Sequence, residues 1–117
     1  KTNQHFIMKS MNKNQIIKNT EKFVKDKMSG EGSGHDWWHV HRVWRNAVHI
    51  GKKEKADMFI VELGALLHDI ADFKFHNGDD MAGARVSRDW LEKQRRLFRF
   101  DFQGLVRYRG IRGMLIG

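Results

Sequence analysis

The segment 57–72 is the feature that most constrains the fold of this chain. Its apolar side chains recur at the spacing of a helix and leave little polar surface between them: Phe59, Ile60, Leu63, Leu66, Leu67 and Ile70. A helix that is apolar around most of its circumference is stable only where other elements surround it. We therefore expect a helix that is capped by Asp57 and lies at the centre of an all-α bundle.

Three further segments have a helical period and can surround this central helix. Their predicted bounds are 12–28, 36–51 and 81–94. In the second of them, Asp36 is a plausible N-cap and Gly51 is expected to stop the helix. The stripe expected to face the central helix consists of His39, Val43, Ala47 and Ile50. The stripe of the last segment consists of Ala82, Val86 and Trp90.

Both ends of the chain differ from this helical middle. Residues 1–11 show no clear period and are predicted to be a loose lead-in. Residues 95–117 contain six arginines, no lysine and four glycines, and keep neither a helical nor a strand period. Two interpretations of this tail stay open: a segment foreign to the domain, such as a shifted reading frame or a disordered end, or a short hairpin or loop. The predicted domain is therefore 12–94.

Composition excludes several classes of protein. The chain has no cysteine, which rules out disulfides and thiolate metal sites. No apolar run approaches the roughly 20 residues that cross a bilayer, so we expect no membrane contact and a cytoplasmic location. The net charge of +8 is concentrated in the tail, which contributes +5. Because no nucleic-acid-reading element accompanies these arginines, the sequence does not favour a nucleic-acid partner.

The run LLHDIADFKF places polar groups at the end of the apolar segment. Asp72 follows His68 by four residues and Asp69 by three, so one helical turn brings it beside both. Burying a carboxylate without a partner costs several kcal/mol, so a bound cation is the economical explanation for an adjacent His-Asp pair. A second histidine is expected nearby.

The run GHDWWHVHRVW offers His35, His39 and His41. His39 falls on the stripe predicted to face the central helix and is the best first ligand. His41 lies about 200° around the helix and is expected to point to solvent, whereas His35 precedes the cap. The four tryptophans are expected to be core or pocket wall, although a purine could stack on one at the mouth of the site.

These two runs, in this order and at this separation, resemble the HD superfamily of metal-dependent phosphohydrolases. Over residues 12–94 the chain is similar to the small bacterial YpgQ-like HD-domain proteins that hydrolyse nucleotides. The resemblance implies an HD-domain helical bundle, here without its C-terminal helices. It also implies an enzyme that hydrolyses a phosphoester or phosphoanhydride bond with a metal-activated water.

The resemblance further implies roles for individual residues. His39, His68 and Asp69 would bind the metal, and Asp72 would be the assisting base or orient the water. The family has a fourth ligand, an aspartate on a later helix, for which this chain has no good match. Asp101 is the only acid after Glu92 and comes too early.

The expected cofactor is a divalent ion, and mixed imidazole and carboxylate ligands favour Mn²⁺, Mg²⁺, Fe²⁺ or Co²⁺. The expected partner is a nucleotide or another phosphorylated small molecule. Lys74, Arg42 and His35 are candidates to bind its phosphate oxygens. Since the fourth ligand is missing, a non-catalytic scaffold that binds a nucleotide or a protein partner is the alternative function.

Overall fold

The computed structural model of the chain describes residues 2–29, 37–71, 82–98, 102–107 and 111. Apart from the connection 54–57, these residues are helical, and none of them forms a strand, which confirms the predicted all-α class. The helices are α1 (Thr2–Ser29), α2 (Trp37–Lys53), α3 (Met58–Ala71), α4 (Ala82–Phe98) and α5 (Phe102–Arg107). None of the helices in these ranges is both long and apolar enough to cross a membrane.

Helix α3 is the centre of the bundle, as predicted. It packs against α1, α2 and α4. Its buried apolar side chains are Phe59, Leu63, Leu66, Leu67 and Ile70. Burial of a side chain of this size contributes about 1.5–3 kcal/mol. The last turn of α3, which carries His68 and Asp69, is therefore continuous with a helix that is held in the core.

Helix α1 is longer than the sequence pattern predicts. It begins at Thr2 instead of Asn12, so the prediction of a loose lead-in was wrong for residues 2–11. The physical reason is that no proline or glycine interrupts residues 2–29. In the rest of this helix the buried face consists of Ile16, Ile17, Thr20, Val24 and Met28.

Polar contacts join α1 to α4. The Thr20 hydroxyl donates to the Ile16 carbonyl at 2.7 Å and accepts a hydrogen bond from Trp90 Nε1 at 2.9 Å. The Trp90 ring stacks on Phe23 with centroids 4.1 Å apart. These contacts satisfy the indole N–H and the buried hydroxyl together, and they fix the position of α4 along α1.

Helix α2 ends in a Schellman motif. The Ala56 N–H donates to the Gly51 carbonyl at 2.9 Å, and the Lys55 N–H donates to the Lys52 carbonyl at 3.3 Å. Lys55 has the left-handed backbone conformation of this motif, with φ of 56°. Asp57 follows directly and caps α3, as predicted, because its Oδ1 accepts a hydrogen bond from the Phe59 N–H at 3.1 Å.

Gly51 does not stop α2, contrary to the prediction, because the helix continues to Lys53. The glycine instead allows a close approach of two helices. A Cβ at this position would lie 3.0 Å from Met58 Sδ and 3.4 Å from Val61 Cγ1. The missing side chain therefore brings the end of α2 against the start of α3.

The buried face of α2 is rotated from the predicted stripe. Trp37, Val40 and Gly51 are buried and Trp44 packs against the core, whereas Ile50 is 60% exposed. The two tryptophans offer more apolar area than the residues of the predicted stripe, and their burial decides the rotation. His39 consequently lies on the flank of the α2–α3 contact.

The C-terminal segment contributes to the core. Helix α4 continues past Gln94 to Phe98, and residues 102–107 form a helix. A short hairpin or loop was one of the two interpretations left open for this segment, and a segment foreign to the domain was the other. Leu105 and Ile111 are buried in the same core as α3. Ile111 Cδ1 would lie 3.6 Å from a Cβ placed on Gly64. The packed core thus extends beyond residue 94, the predicted domain boundary.

Candidate metal centre

Three contacts show that α2 and α3 pack antiparallel. Gly51 approaches Met58 and Val61 near the connection of the two helices. Farther along, Trp44 Nε1 donates to Glu62 Oε1 at 3.0 Å. Residues earlier in α2 therefore contact residues later in α3, so the two helices run in opposite directions. The first turn of α2, with His39, faces the last turn of α3, with Asp69.

The Asp69 carboxylate lies between two imidazoles. His39 Nε2 is 3.4 Å from Asp69 Oδ2, and His68 Nε2 is 2.9 Å from Asp69 Oδ1. The centroids of the two imidazole rings are 6.4 Å apart. One ligand atom from each of the three residues lies within 4.8 Å of the others. The structure therefore brings the three predicted metal ligands together from two helices.

The three side chains differ in their exposure to solvent. The Asp69 side chain is only 7% exposed, whereas His39 is 42% exposed and His68 is 47% exposed. A buried carboxylate keeps its charge only if positive or hydrogen-bonding groups replace water around it. The histidines stand on the solvent side of the carboxylate, so a ligand can reach the cluster from their side.

The donor set fits a divalent ion. Two donors bound to one ion at about 2.1 Å lie about 3 Å apart when they occupy adjacent coordination positions. The contacts of Asp69 with the two histidines, at 3.4 and 2.9 Å, are close to this separation. Two imidazoles and one carboxylate leave room for water or substrate as further ligands, which is typical of catalytic metal sites.

Other residues predicted for the site lie elsewhere or outside the described residues. Arg42 is exposed on α2, three residues after His39, and within the described ranges no ion pair involves it. The predicted base, Asp72, is outside the described residues. The same is true of the predicted phosphate contacts Lys74 and His35 and of Asp101, the one acid of the tail.

The sequence pattern predicted that His41 points to solvent, but its side chain packs against other residues of α2. It is partly buried, and its ring lies 5.8 Å from Trp37, 5.8 Å from Trp38 and 5.9 Å from Trp44, measured between centroids. These neighbours are three or four residues away on the same helix, where side chains meet. His41 therefore packs among aromatic rings and is separate from the His39 cluster.

Two features near the site were missed by the sequence reasoning. Glu62 lies seven residues before Asp69, two helical turns away on the same side of α3, and binds the Trp44 indole. The seven-residue spacing from Asp69 is the sequence signal that could have placed Glu62 on the same side of α3. Trp38, expected in the core or a pocket wall, is 61% exposed. The other tryptophans pack in or against the core, as predicted.

Comparisons with known proteins agree with this geometry. The family model for the HD domain matches residues 37–114, which include α2, α3 and α4. The chain is 56% identical over 52 residues to the uncharacterized protein YpgQ of Bacillus subtilis strain 168. This match covers 44% of the chain and only 25% of YpgQ. No solved structure matches the chain significantly.

Proposed function

The chain belongs to the HD-domain family, within the metal-dependent phosphohydrolase superfamily, and we propose on this basis that it hydrolyses nucleotides. The bond cleaved would be a phosphoester or a phosphoanhydride. The observation that carries the proposal is the cluster of His39, His68 and Asp69, whose ligand atoms lie within 4.8 Å of one another.

In this proposal His39, His68 and Asp69 hold the divalent ion, which is Mn²⁺, Mg²⁺, Fe²⁺ or Co²⁺. When bound, the ion supplies Lewis acidity that neutralises charge on phosphate oxygens and acidifies water. Asp69 gives the cluster its negative charge, and the packing of α3 fixes its position. His39 binds from α2, so the metal site depends on the antiparallel contact of the two helices.

The remaining predicted residues act on the water and the phosphate. Asp72 would accept a proton from the attacking water at its carboxylate, or orient that water. Its sequence position supports this role, because residues three apart share one side of a helix. Arg42, Lys74 and His35 would pair with phosphate oxygens. Arg42 is the one of these three that the structure describes, and it is exposed one turn from His39.

The proposal is tested with purified protein, Mn²⁺ and a panel of nucleoside triphosphates. We expect hydrolysis by the wild type and its loss in His68→Ala, together with weaker Mn²⁺ binding measured by calorimetry. His49→Ala is the matched control, because His49 is an exposed histidine of α2 outside the cluster. Hydrolysis that persists in His68→Ala would contradict the proposal.

The same experiment addresses the alternative function. Tight Mn²⁺ binding by the wild type without turnover of any phosphorylated substrate would favour a non-catalytic HD scaffold that binds a nucleotide or a protein partner. Loss of Mn²⁺ binding in His68→Ala would then still assign the metal to the cluster.

A further inference from the structure

Trp38 is an exposed aromatic residue that immediately precedes the candidate metal ligand His39 in the sequence. It is 61% exposed and lies on the first turn of α2. An exposed indole leaves a large apolar surface in water, unlike the other three tryptophans, which pack in or against the core. The indole is therefore accessible to a ligand.

The neighbours of Trp38 on α2 favour an anionic ligand. Arg42 follows Trp38 by four residues and His39 by three, so the Arg42 side chain is adjacent to each of them on the helix surface. Arg42 is exposed. Helix α2 also carries Arg45, Lys52 and Lys53 and has no acidic residue. The exposed side of α2 is thus basic. Trp38, the exposed tryptophan of this helix, lies at the same end as His39.

The position of the Trp38 ring is partly fixed. Its centroid lies 5.8 Å from that of His41, with an angle of 74° between the ring planes. An edge contact of this kind restricts the rotation of the indole. A restricted aromatic ring loses less conformational entropy when a second ring stacks on it, which favours binding of a planar ligand.

We propose that Trp38 and Arg42 form a nucleotide-binding subsite beside the metal cluster. The nucleobase stacks on the Trp38 indole, and Arg42 pairs with a phosphate oxygen that extends toward His39 and Asp69. This inference rests on the proposed function and deepens it, because it assigns binding of the nucleobase to Trp38 and makes the base a contributor to affinity. A base-free polyphosphate would lack the stacking contact. Since every base presents a π face, the subsite would bind bases with little preference.

The test compares the binding of ATP with that of inorganic triphosphate, which lacks the base. Dissociation constants are measured by calorimetry in the presence of Ca²⁺, for the wild type, Trp38→Ala, Trp38→Phe and Ile50→Ala. Trp38→Ala is expected to weaken ATP binding about tenfold and to leave triphosphate binding unchanged. Trp38→Phe keeps an aromatic face and is expected to retain most of the affinity for ATP.

Ile50→Ala is the matched control. Ile50 is a comparably exposed apolar residue of the same helix, at 60%, but it lies three turns from Trp38. Its substitution should change neither dissociation constant. Circular dichroism of each variant verifies folding, which we expect to be unaffected because both side chains are exposed.

Three results would overturn the inference: equal weakening of ATP and triphosphate binding in Trp38→Ala, unchanged ATP binding in that variant, or a wild type that does not prefer ATP over triphosphate. A shift of Trp38→Ala from dimer to monomer in sedimentation, with unchanged ATP binding, would assign the indole to a contact between two copies instead. Failure of the proposed function is a separate result, namely turnover that persists in His68→Ala.

Discussion

His39 on α2 places its Nε2 3.4 Å from Oδ2 of Asp69 on α3, and this contact joins the two runs of the sequence that contain the predicted metal ligands. His68 contacts the other oxygen of the same carboxylate at 2.9 Å. The contact depends on the antiparallel packing of the two helices. The short connection that contains Lys55 and Asp57 determines this packing. The stability of that connection and the chemistry of the cluster can be tested separately.

Replacement of Asp69 by asparagine should abolish stabilisation of the protein by metal. An ion that binds only the folded state stabilises it by about 2.7 kcal/mol when its free concentration is about a hundred times Kd. We expect Mn²⁺ to raise the Tm of the wild type and to leave that of Asp69→Asn unchanged, because the amide removes the charge of the donor set. Thermal unfolding with and without Mn²⁺ measures the difference. Equal shifts in both proteins would argue against a role of Asp69 in binding.

Replacement of Lys55 by glycine should stabilise the protein. Lys55 has a left-handed conformation, with φ of 56°, that is unfavourable for residues with a Cβ. Glycine relieves this strain but loses more entropy on folding, so we expect a net gain of about 0.5–1 kcal/mol. Urea denaturation provides the measurement. Lys55→Ala is the control and should show little change, since alanine keeps the Cβ. A destabilised Lys55→Gly would contradict the assignment of the Schellman motif.

Replacement of Asp57 by alanine should destabilise α3 at its start. The Asp57 carboxylate accepts the Phe59 N–H at 3.1 Å, and loss of such a cap costs about 1 kcal/mol. Asp57→Ser keeps a side-chain acceptor and should retain most of the stability. Chemical denaturation of the two variants distinguishes them. If both lose the same free energy of unfolding, the carboxylate acts through its charge and not as a cap.

Replacement of Ser87 by alanine should be neutral or stabilising. Ser87 is fully buried on α4, and its hydroxyl has no hydrogen-bond partner within the described ranges. An unsatisfied buried polar group costs about 1–3 kcal/mol, and alanine removes it at nearly the same volume. Thr20→Val is the contrasting variant, because Thr20 binds both Ile16 and Trp90 and should be destabilised. A strongly destabilised Ser87→Ala would show that the hydroxyl makes a contact.

The sequence predicts the parts of this molecule in which local and tertiary forces agree. Helix α3 is apolar on most sides, so its central position follows from its composition alone. The Asp57 cap follows from local backbone chemistry, and the three cluster residues from the two motif runs. The rotation of α2 could not be predicted, because it depends on which side chains find space between helices. Trp37 and Trp44 are buried there, and Ile50 is left exposed.

The ends of the chain were harder to predict for another reason. Residues 2–11 have no apolar stripe, yet the absence of a helix breaker lets α1 extend through them. The tail lacks a helical period, and its Leu105 and Ile111 are buried in the core as isolated apolar positions that no repeating pattern reveals. Periodicity therefore identifies helices that bury a whole face and misses elements that bury only one or two side chains.

The most direct test of the account is electron spin echo spectroscopy of the protein loaded with Mn²⁺, which counts the imidazole nitrogens bound to the ion. We expect two coupled imidazoles in the wild type, one in His39→Ala and one in His68→Ala, with His49→Ala unchanged. A wild-type signal that persists in His39→Ala would contradict the claim that α2 and α3 share one ion.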